Sequence, residues 1–323
     1  MKKILITGGA GYIGSHVAET LIKNKKKVFI VDNLSTGFRK LINKDAKFYQ
    51  TDISNLKNIK KIITNNKVDS IVHLAAALSV GEGEKNPKKY YKINVEGTKK
   101  LLNALINTGV KNFIFSSTCA VYKDGSSKVS ENTKLKPTSV YGKTKLKGEK
   151  IISSFCKKNR INYGILRFFN VAGASPSGKI GQLNKGDQLF KNLSSEVMKK
   201  NPTFKIYGSN YKTKDGTCIR DYIHVSDIAN IHYKVLEKIN KCTKSITLNC
   251  GYARGISVYD AINEFKKYAK KYKIVDLPKR SGDMVKITAS NHKLKKFIYW
   301  KPKYYKLSTI VKSCIKWEKR INR

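Results

Sequence analysis

Residues 3–14 read Lys-Ile-Leu-Ile-Thr-Gly-Gly-Ala-Gly-Tyr-Ile-Gly, and their order decides the fold. A short apolar run, Lys3 to Thr7, meets a glycine turn, and an amphipathic pattern begins at once and continues over Ile13 to Asn24. Strand, turn and helix start in immediate succession make the first half of a βαβ unit. Gly8 and Gly11 allow backbone conformations and approach distances closed to residues with a Cβ. A pyrophosphate can therefore sit at the helix N-terminus, where free N–H groups and the helix dipole favour an anion. Gly14 permits close helix–strand packing. Glycine turns also simply connect elements, so the reading depends on what surrounds this one.

Outward from it, apolar β-branched runs recur at Lys27 to Val31, Lys47 to Gln50, Ser70 to Ala75, Asn112 to Ser116 and Gly164 to Phe168. Between them, helical spacing predicts helices over Ile13 to Asn24, Asn58 to Asn65, Pro87 to Thr108 and Val140 to Lys158. The rhythm predicts an α/β fold, a doubly wound parallel sheet of the Rossmann type, with a smaller C-terminal α/β domain. The pattern changes near residue 170 to Gly-, Pro- and Ser-rich connections, so residues 1–170 are expected to form one domain and 171–323 a second. The helix pattern Val225 to Leu236 and the run Ile246 to Cys250 suggest that a segment near 222–250 returns to the first sheet.

Asp32 ends the second predicted strand, eighteen positions beyond Gly14, where a carboxylate can accept hydrogen bonds from the adenosine ribose hydroxyls. Its charge would repel a 2′-phosphate, which favours NAD over NADP. As a turn residue in Asp-Asn-Leu-Ser it would serve only the backbone. Asp52 follows the third strand and can reach the adenine, although alone it is a loop aspartate. Thr118 closes the fifth strand region with a hydroxyl, and Tyr141 and Lys145 lie four apart on the next helix, hence on one face. An ammonium and a positive nicotinamide ring favour phenolate, moving the tyrosine toward a pKa useful to a general base. With 18 tyrosines and abundant lysine in the chain, that pair alone carries little; the order of glycine turn, ribose acid, strand-end hydroxyl and Tyr-x-x-x-Lys carries the argument.

Composition bounds the rest. The chain has 66 Lys plus Arg against 22 Asp plus Glu, a formal net charge of +44, which raises nucleic-acid or anionic-surface binding. Its lysines are spread along the polar phase of helical patterns, as on a solvated face, and no interleaved aromatic and basic motif supports nucleic acid. Arginine is scarce, so each one is a better candidate than any lysine for planar phosphate recognition. Six cysteines show neither a Cys-x-x-Cys pair nor zinc-ligand spacing, so no metal and no disulfide framework are expected, and the setting is read as cytoplasmic. The apolar start stops at Thr7-Gly8-Gly9, too short for a signal or membrane segment.

The stretches GGAGYIG (8–14), VDNLSTG (31–37), HLAAALSVGE (73–82), FSSTCAVY (115–122), SVYGKTK (139–145), LRFFNVAGA (166–174), DGTCIRDYIHVSDIA (215–229) and RSGD (280–283) resemble the extended short-chain dehydrogenase/reductase superfamily, and within it the UDP-glucose 4-epimerase family, over nearly the whole chain. The resemblance implies Tyr141 as base, Lys145 as its partner on the nicotinamide ribose and Thr118 as the hydroxyl on the sugar O4. It places Tyr12, Ile13, Asp32, Asn33, Leu34, Ser35, Thr36, Gly37, Asp52, Ile53, Leu74, Ala75, Ala76, Asn94 and Phe169 around NAD. Asn170, Leu189, Tyr207, Arg220, Arg280 and Asp283 would hold the nucleotide diphosphate of a UDP-hexose. Arg220 and Arg280 suit bidentate phosphate contacts and Asp283 suits ribose hydroxyls; ordinary ion pairs, a capping Asn170 and a core Tyr207 are the plain alternatives. The implied reaction is reversible oxidation at C4 to a 4-keto sugar, with hydride returned to the opposite face, in a homodimer.

Two positions, Leu78 and Lys123, depart from the family pattern, and a third, Ile287, occupies a position the family uses without deciding the hexose. Leu78 stands where the family often has a lysine near the nicotinamide, Lys123 where it has a glycine, and Ile287 where it shapes the sugar pocket. Cys119 and Ala120 after Thr118 disfavour the related 4,6-dehydratases, which need acids there. The other readings are a 4-epimerase of UDP-N-acetylhexosamine or UDP-glucuronate, and a non-catalytic NAD-binding regulator, which the Tyr/Lys pair argues against.

Overall fold

The computed structural model describes residues 1–323 apart from 124, 126, 185, 187, 281–283 and 323. Seven strands form one parallel sheet: β1 (Lys3–Thr7), β2 (Lys27–Asp32), β3 (Lys47–Gln50), β4 (Ser70–His73), β5 (Asn112–Thr118), β6 (Asn162–Phe168) and β7 (Ile246–Cys250). Their order is β7-β6-β5-β4-β1-β2-β3, so the chain reverses its direction of travel between β1 and β4. Doubly wound sheets open a crevice at that switch point, beyond the strand C-termini.

The strands read as continuous apolar runs because both faces are covered. Ile4, Ile6, Val28 and Ile30 pack with Val17 and Leu21 of the helix Tyr12–Lys23 and with Ile228, Ile231 and Val235 of the helix Val225–Cys242. Leu5, Phe29, Ile71 and Phe113 turn the other way, onto Ile59 and Ile63 of the helix Leu56–Asn66 and Ile152 of the helix Val140–Lys158. Each such fully buried aliphatic side chain contributes roughly 1.5–3 kcal/mol.

Two expected elements are altered. The run Ser70 to Ala75 leaves the sheet after His73. The single helix expected over Pro87 to Thr108 is instead Pro87–Tyr90, a wide π turn at Tyr91–Gly97 and Thr98–Ala104. π turns concentrate at functional sites, and this one brings the buried Asn94 and Thr98 into side-chain hydrogen bonds. The helix stops short of Thr108 because Asn107 adopts a left-handed φ of 58°.

Beyond residue 170 the chain builds a smaller layer. Lys128–Val129, Ile219–Arg220, Ile256–Ser257 and Lys286–Ala289 share a four-stranded sheet. Thr203–Tyr207 pairs with Lys273–Leu277, and the helices Leu189–Val197, Val258–Phe265 and Leu307–Ile321 enclose Phe190, Leu193, Ile262, Phe265 and Ile310. The two halves exchange strands: β7 comes from the later half and pairs with β6, while Val129 of the earlier half pairs with Ala289. The buried Asp221 fastens the exchange by accepting from the backbone N–H groups of Tyr252, Ala253 and Ala289 at 2.8, 2.8 and 3.1 Å.

Candidate active site

The glycine turn is shaped by contact. Gly8 has φ +71°, and a Cβ there would lie 2.7 Å from the Ala75 nitrogen; at Gly14 it would lie 2.1 Å from the Gly8 carbonyl oxygen. Gly11 caps the helix Tyr12–Lys23 without a side-chain bond, and no acidic residue occupies the first turn. That leaves the positive end of the helix to an anionic ligand.

At the end of β2, Asp32 accepts from Ala10 N at 3.0 Å and Leu34 N at 2.8 Å, one on each oxygen. Burial raises its pKa, and the two N–H groups act against that. Each oxygen keeps a second lone pair for a ribose hydroxyl. A Cβ at Gly37 would come within 2.8 Å of this carboxylate, so glycine leaves its face open. Asp52 is tied to the same loop, accepting from the Asn33 amide at 2.7 Å. Ser35 N donates to Asn33 Oδ1 at 3.0 Å, while Ile53 is buried against the second core face. These are the residues the sequence assigned to the adenosine end, and the structure brings them together.

Leu74, Ala75 and Ala76 run directly past Gly8, with Leu74 N donating to Thr7 O at 3.0 Å. A buried chain of hydrogen bonds leads on from there. Thr7 Oγ1 and His73 Nδ1 are 2.7 Å apart, His73 Nε2 and Thr98 Oγ1 are 3.0 Å apart, and Thr98 donates to Asn94 O at 2.7 Å. Since the Thr98 hydroxyl is spent as a donor, His73 carries its proton on Nε2 and accepts from Thr7. Burial, with Lys145 nearby, lowers the His73 pKa to about 3, so it stays neutral. Asn94 accepts from Ala77 N at 2.8 Å and donates to Ala77 O and Thr144 Oγ1, each at 3.1 Å. Its amide thus joins the loop after β4 to the helix that carries Tyr141.

That helix, Val140–Lys158, is capped by Ser139, which accepts from Gly142 N at 3.1 Å. A Cβ on Gly142 would lie 2.3 Å from the Ala120 carbonyl oxygen, so glycine lets the helix end close on the turn after β5. The closure sets Tyr141 close enough to the Thr118 hydroxyl for that hydroxyl to act on its phenol. Burial pushes the Tyr141 phenol up to about 12, against the pull of Thr118, with Cys119 adding to the rise. The lowering expected from the sequence is therefore not supplied by the protein's own groups, because loss of solvent around the phenol outweighs them. Lys145 is 3% exposed, its Nζ 4.4 Å from the centre of the Phe115 ring. Burial pulls its pKa down to about 7, and the Glu149 carboxylate acts in the opposite sense.

The residues assigned to the nucleotide diphosphate, and Phe169, Tyr12 and Ile13 assigned to NAD, are more dispersed. Phe169 is buried beside Cys119, Tyr122 and Ile287, and Asn170 N donates to Asp221 O at 2.9 Å. Arg220 lies close enough to Cys119 to act on its thiol, which burial holds up near 12. It is therefore near the Thr118–Tyr141 pair. Leu189 opens a helix with no side-chain cap and no first-turn acid. Arg280 stacks on Tyr207, its guanidinium carbon 4.2 Å from the ring centre. Asp283 lies outside the described residues. Tyr12 donates to Gly173 O at 2.5 Å and Ile13 packs on the first core face. Leu78 is 57% exposed, and Ile287 is fully buried.

Sequence reading missed Glu149 and Arg167. Arg167 holds Glu149 through Nε–Oε1 at 3.0 Å and Nη2–Oε2 at 2.8 Å, and Ser117 donates to the same carboxylate. The available signal was an arginine inside an apolar strand and an acid four residues after Lys145. All six cysteines are free thiols. Among the described residues, no cluster could hold a metal and no helix is long and apolar enough to cross a membrane.

A dinucleotide cradle that abuts a phenol, a hydroxyl and a buried ammonium defines an enzyme that moves hydride with a nicotinamide cofactor. The chain belongs to the NAD dependent epimerase/dehydratase family, whose model matches residues 4–251. It is 38% identical to the UDP-glucose 4-epimerase of Lactobacillus helveticus, across 98% of this chain and 97% of that protein. Among solved structures, the UDP-glucose 4-epimerase of Stenotrophomonas maltophila with bound NAD and formylated UDP-arabinopyranose matches with a TM-score of 0.95 and 31% identity, across 100% and 99% of the two chains. The UDP-Glc/GlcNAc 4-epimerase of Campylobacter jejuni matches with a TM-score of 0.85 and 38% identity, across 99% and 100%.

Proposed function

We propose that the chain interconverts UDP-glucose and UDP-galactose, and the observation that carries this reading is the Tyr141–Thr118 contact beside the glycine-turn crevice. NAD fits the cradle left by Gly8, Gly11 and Gly14 and the carboxylate of Asp32, and when bound it supplies a hydride acceptor and a positive ring that favours phenolate. Tyr141 takes the C4 hydroxyl proton and later returns it. Thr118 holds the same oxygen by a hydrogen bond, and Lys145 supplies positive charge to the phenolate and holds the nicotinamide ribose. Arg220 and Arg280 grip the diphosphate, the helix starting at Leu189 adds its positive end, and Asn170, Tyr207 and Asp283 take the remaining nucleotide contacts. A 4-keto sugar tethered through its diphosphate can turn its other face to the cofactor before leaving.

On this reading residues 1–170, with the returning stretch 222–250, serve NAD, and the remainder of 171–323 serves the sugar nucleotide. The exposed apolar residues Leu78, Val80, Tyr91 and Ile106 support a homodimer, and six unbridged thiols support a cytoplasmic setting. The test is incubation of purified protein with UDP-galactose and no added reductant, with UDP-N-acetylgalactosamine in parallel. Appearance of UDP-glucose is expected; its absence from the NAD-loaded enzyme overturns the reading.

A further inference from the structure

Beneath the Tyr–Lys pair lies a second charged group that the reaction as described does not use. Glu149 stands four residues after Lys145 on the same helix face, and both side chains are buried. Its oxygens are taken by Arg167 and by the Ser117 hydroxyl. Ser117 precedes Thr118 on β5, and Arg167 precedes Phe169 and Asn170 at the end of β6. One carboxylate thus ties the helix of Tyr141 and Lys145 to the two strands that deliver the other proposed sugar contacts. Arg167 is braced in turn by Tyr122, to which it donates at 3.0 Å, and Tyr122 donates to Asn249 of β7 at 2.6 Å.

We infer that Glu149 is a positioning residue of the active site, the buried counter-charge that keeps Lys145 protonated and aimed while Arg167 anchors it. The inference rests on the proposed epimerase reading for its kinetic consequences, though not for the charge relation itself. The groups facing Lys145 are Tyr141 and Glu149 on its own helix, the Phe115 ring on β5 and the neutral His73 on β4, with Arg167 behind Glu149. Arg167 holds the carboxylate directly, whereas Lys145, one helix turn away and buried beside it, lies in its field without an ion pair. If its charge is removed, the arginine cannot give up its proton and the lysine can, so Lys145 becomes neutral at lower pH. The direction agrees with the burial that already draws Lys145 down to about 7 and the opposing pull of Glu149.

Glu149→Gln alone leaves Arg167 buried without its ion pair and can cost stability for that reason. The double variant Glu149→Gln/Arg167→Met removes both charges and separates the two roles. The measurement is the pH titration of the Lys145 ε-carbon by NMR on ε-carbon-labelled lysine, assigned by its loss in Lys145→Arg. The alkaline limb of kcat for UDP-galactose is read alongside. Glu149→Gln is expected to titrate Lys145 lower by about one pH unit or more, with the alkaline limb moved equally, and the double variant, which also loses the opposing Arg167 charge, to melt nearer the wild type and shift Lys145 the same way by less. An unchanged Lys145 midpoint in a folded double variant overturns the inference, as does a kcat profile that coincides with wild type. Absence of turnover in the wild type would instead reject the epimerase reading and leave the titration to decide on Glu149.

Discussion

At the residue scale, the protein places a phenol where loss of solvent raises its pKa to about 12 and an ammonium where it falls to about 7. At neutral pH the phenol alone is protonated, and the cofactor's positive ring is what it lacks. Tyr141→Phe removes only the acidic oxygen, so it is expected to fold and to bind NAD like the wild type while epimerisation falls by about two to four orders of magnitude. Calorimetric NAD titration beside a turnover assay checks this, and activity within a few-fold of wild type would refute the assigned base. That Tyr141, Lys145 and Thr118 come together was readable from the order of glycine turn, ribose acid, strand-end hydroxyl and Tyr-x-x-x-Lys. Glu149 and Arg167 were not, since an acid and an arginine eighteen positions apart acquire meaning only when the helix lies on the sheet. The amide of Asn94 is engaged with Ala77 and Thr144, a pairing across distant segments that the sequence did not show.

At the element scale, the site depends on how closely the end of the helix Val140–Lys158 approaches the turn after β5. Gly142→Ala puts a methyl 2.3 Å from the Ala120 carbonyl oxygen, and the helix must back away. We expect a loss of about 1–3 kcal/mol of stability and a fall in kcat of about tenfold or more, as the phenol leaves Thr118. Gly109→Ala, where a Cβ meets nothing within 4 Å, serves as the control and should leave both unchanged. Thermal melting and steady-state kinetics on the two variants decide it. The strands were legible because a sheet covered on both faces writes uninterrupted apolar runs. The π turn at Tyr91–Gly97 was not, because Asn94 and Thr98 bond to partners on other segments that no helical periodicity records.

At the scale of the whole molecule, four of the five histidines are buried and neutral. Burial lowers His16 and His232 to about 4, and His73 and His224 to about 3, from an ordinary 6.5. Between those values the unfolded chain binds protons that the folded chain refuses, so their contribution is intact above pH 6.5 and is lost as the pH falls. The limiting slope is about 1.4 kcal/mol per pH unit for each histidine, or about 5.5 kcal/mol per pH unit for the four. Urea midpoints should therefore drop steeply from pH 7 to pH 5; a flat profile over that range would contradict the assignment. The pairing of Val129 with Ala289 was not visible in the sequence, because two-residue strands leave no periodic trace. The exchange of strands also bears on synthesis. Until Cys250 has emerged from the ribosome, β6 has no neighbour on its outer side, and a nascent chain must carry that bare apolar border through some eighty further residues of translation. Such a polypeptide completes its first sheet only late in its own making, and until then it carries an open strand edge of the kind that chaperones shield.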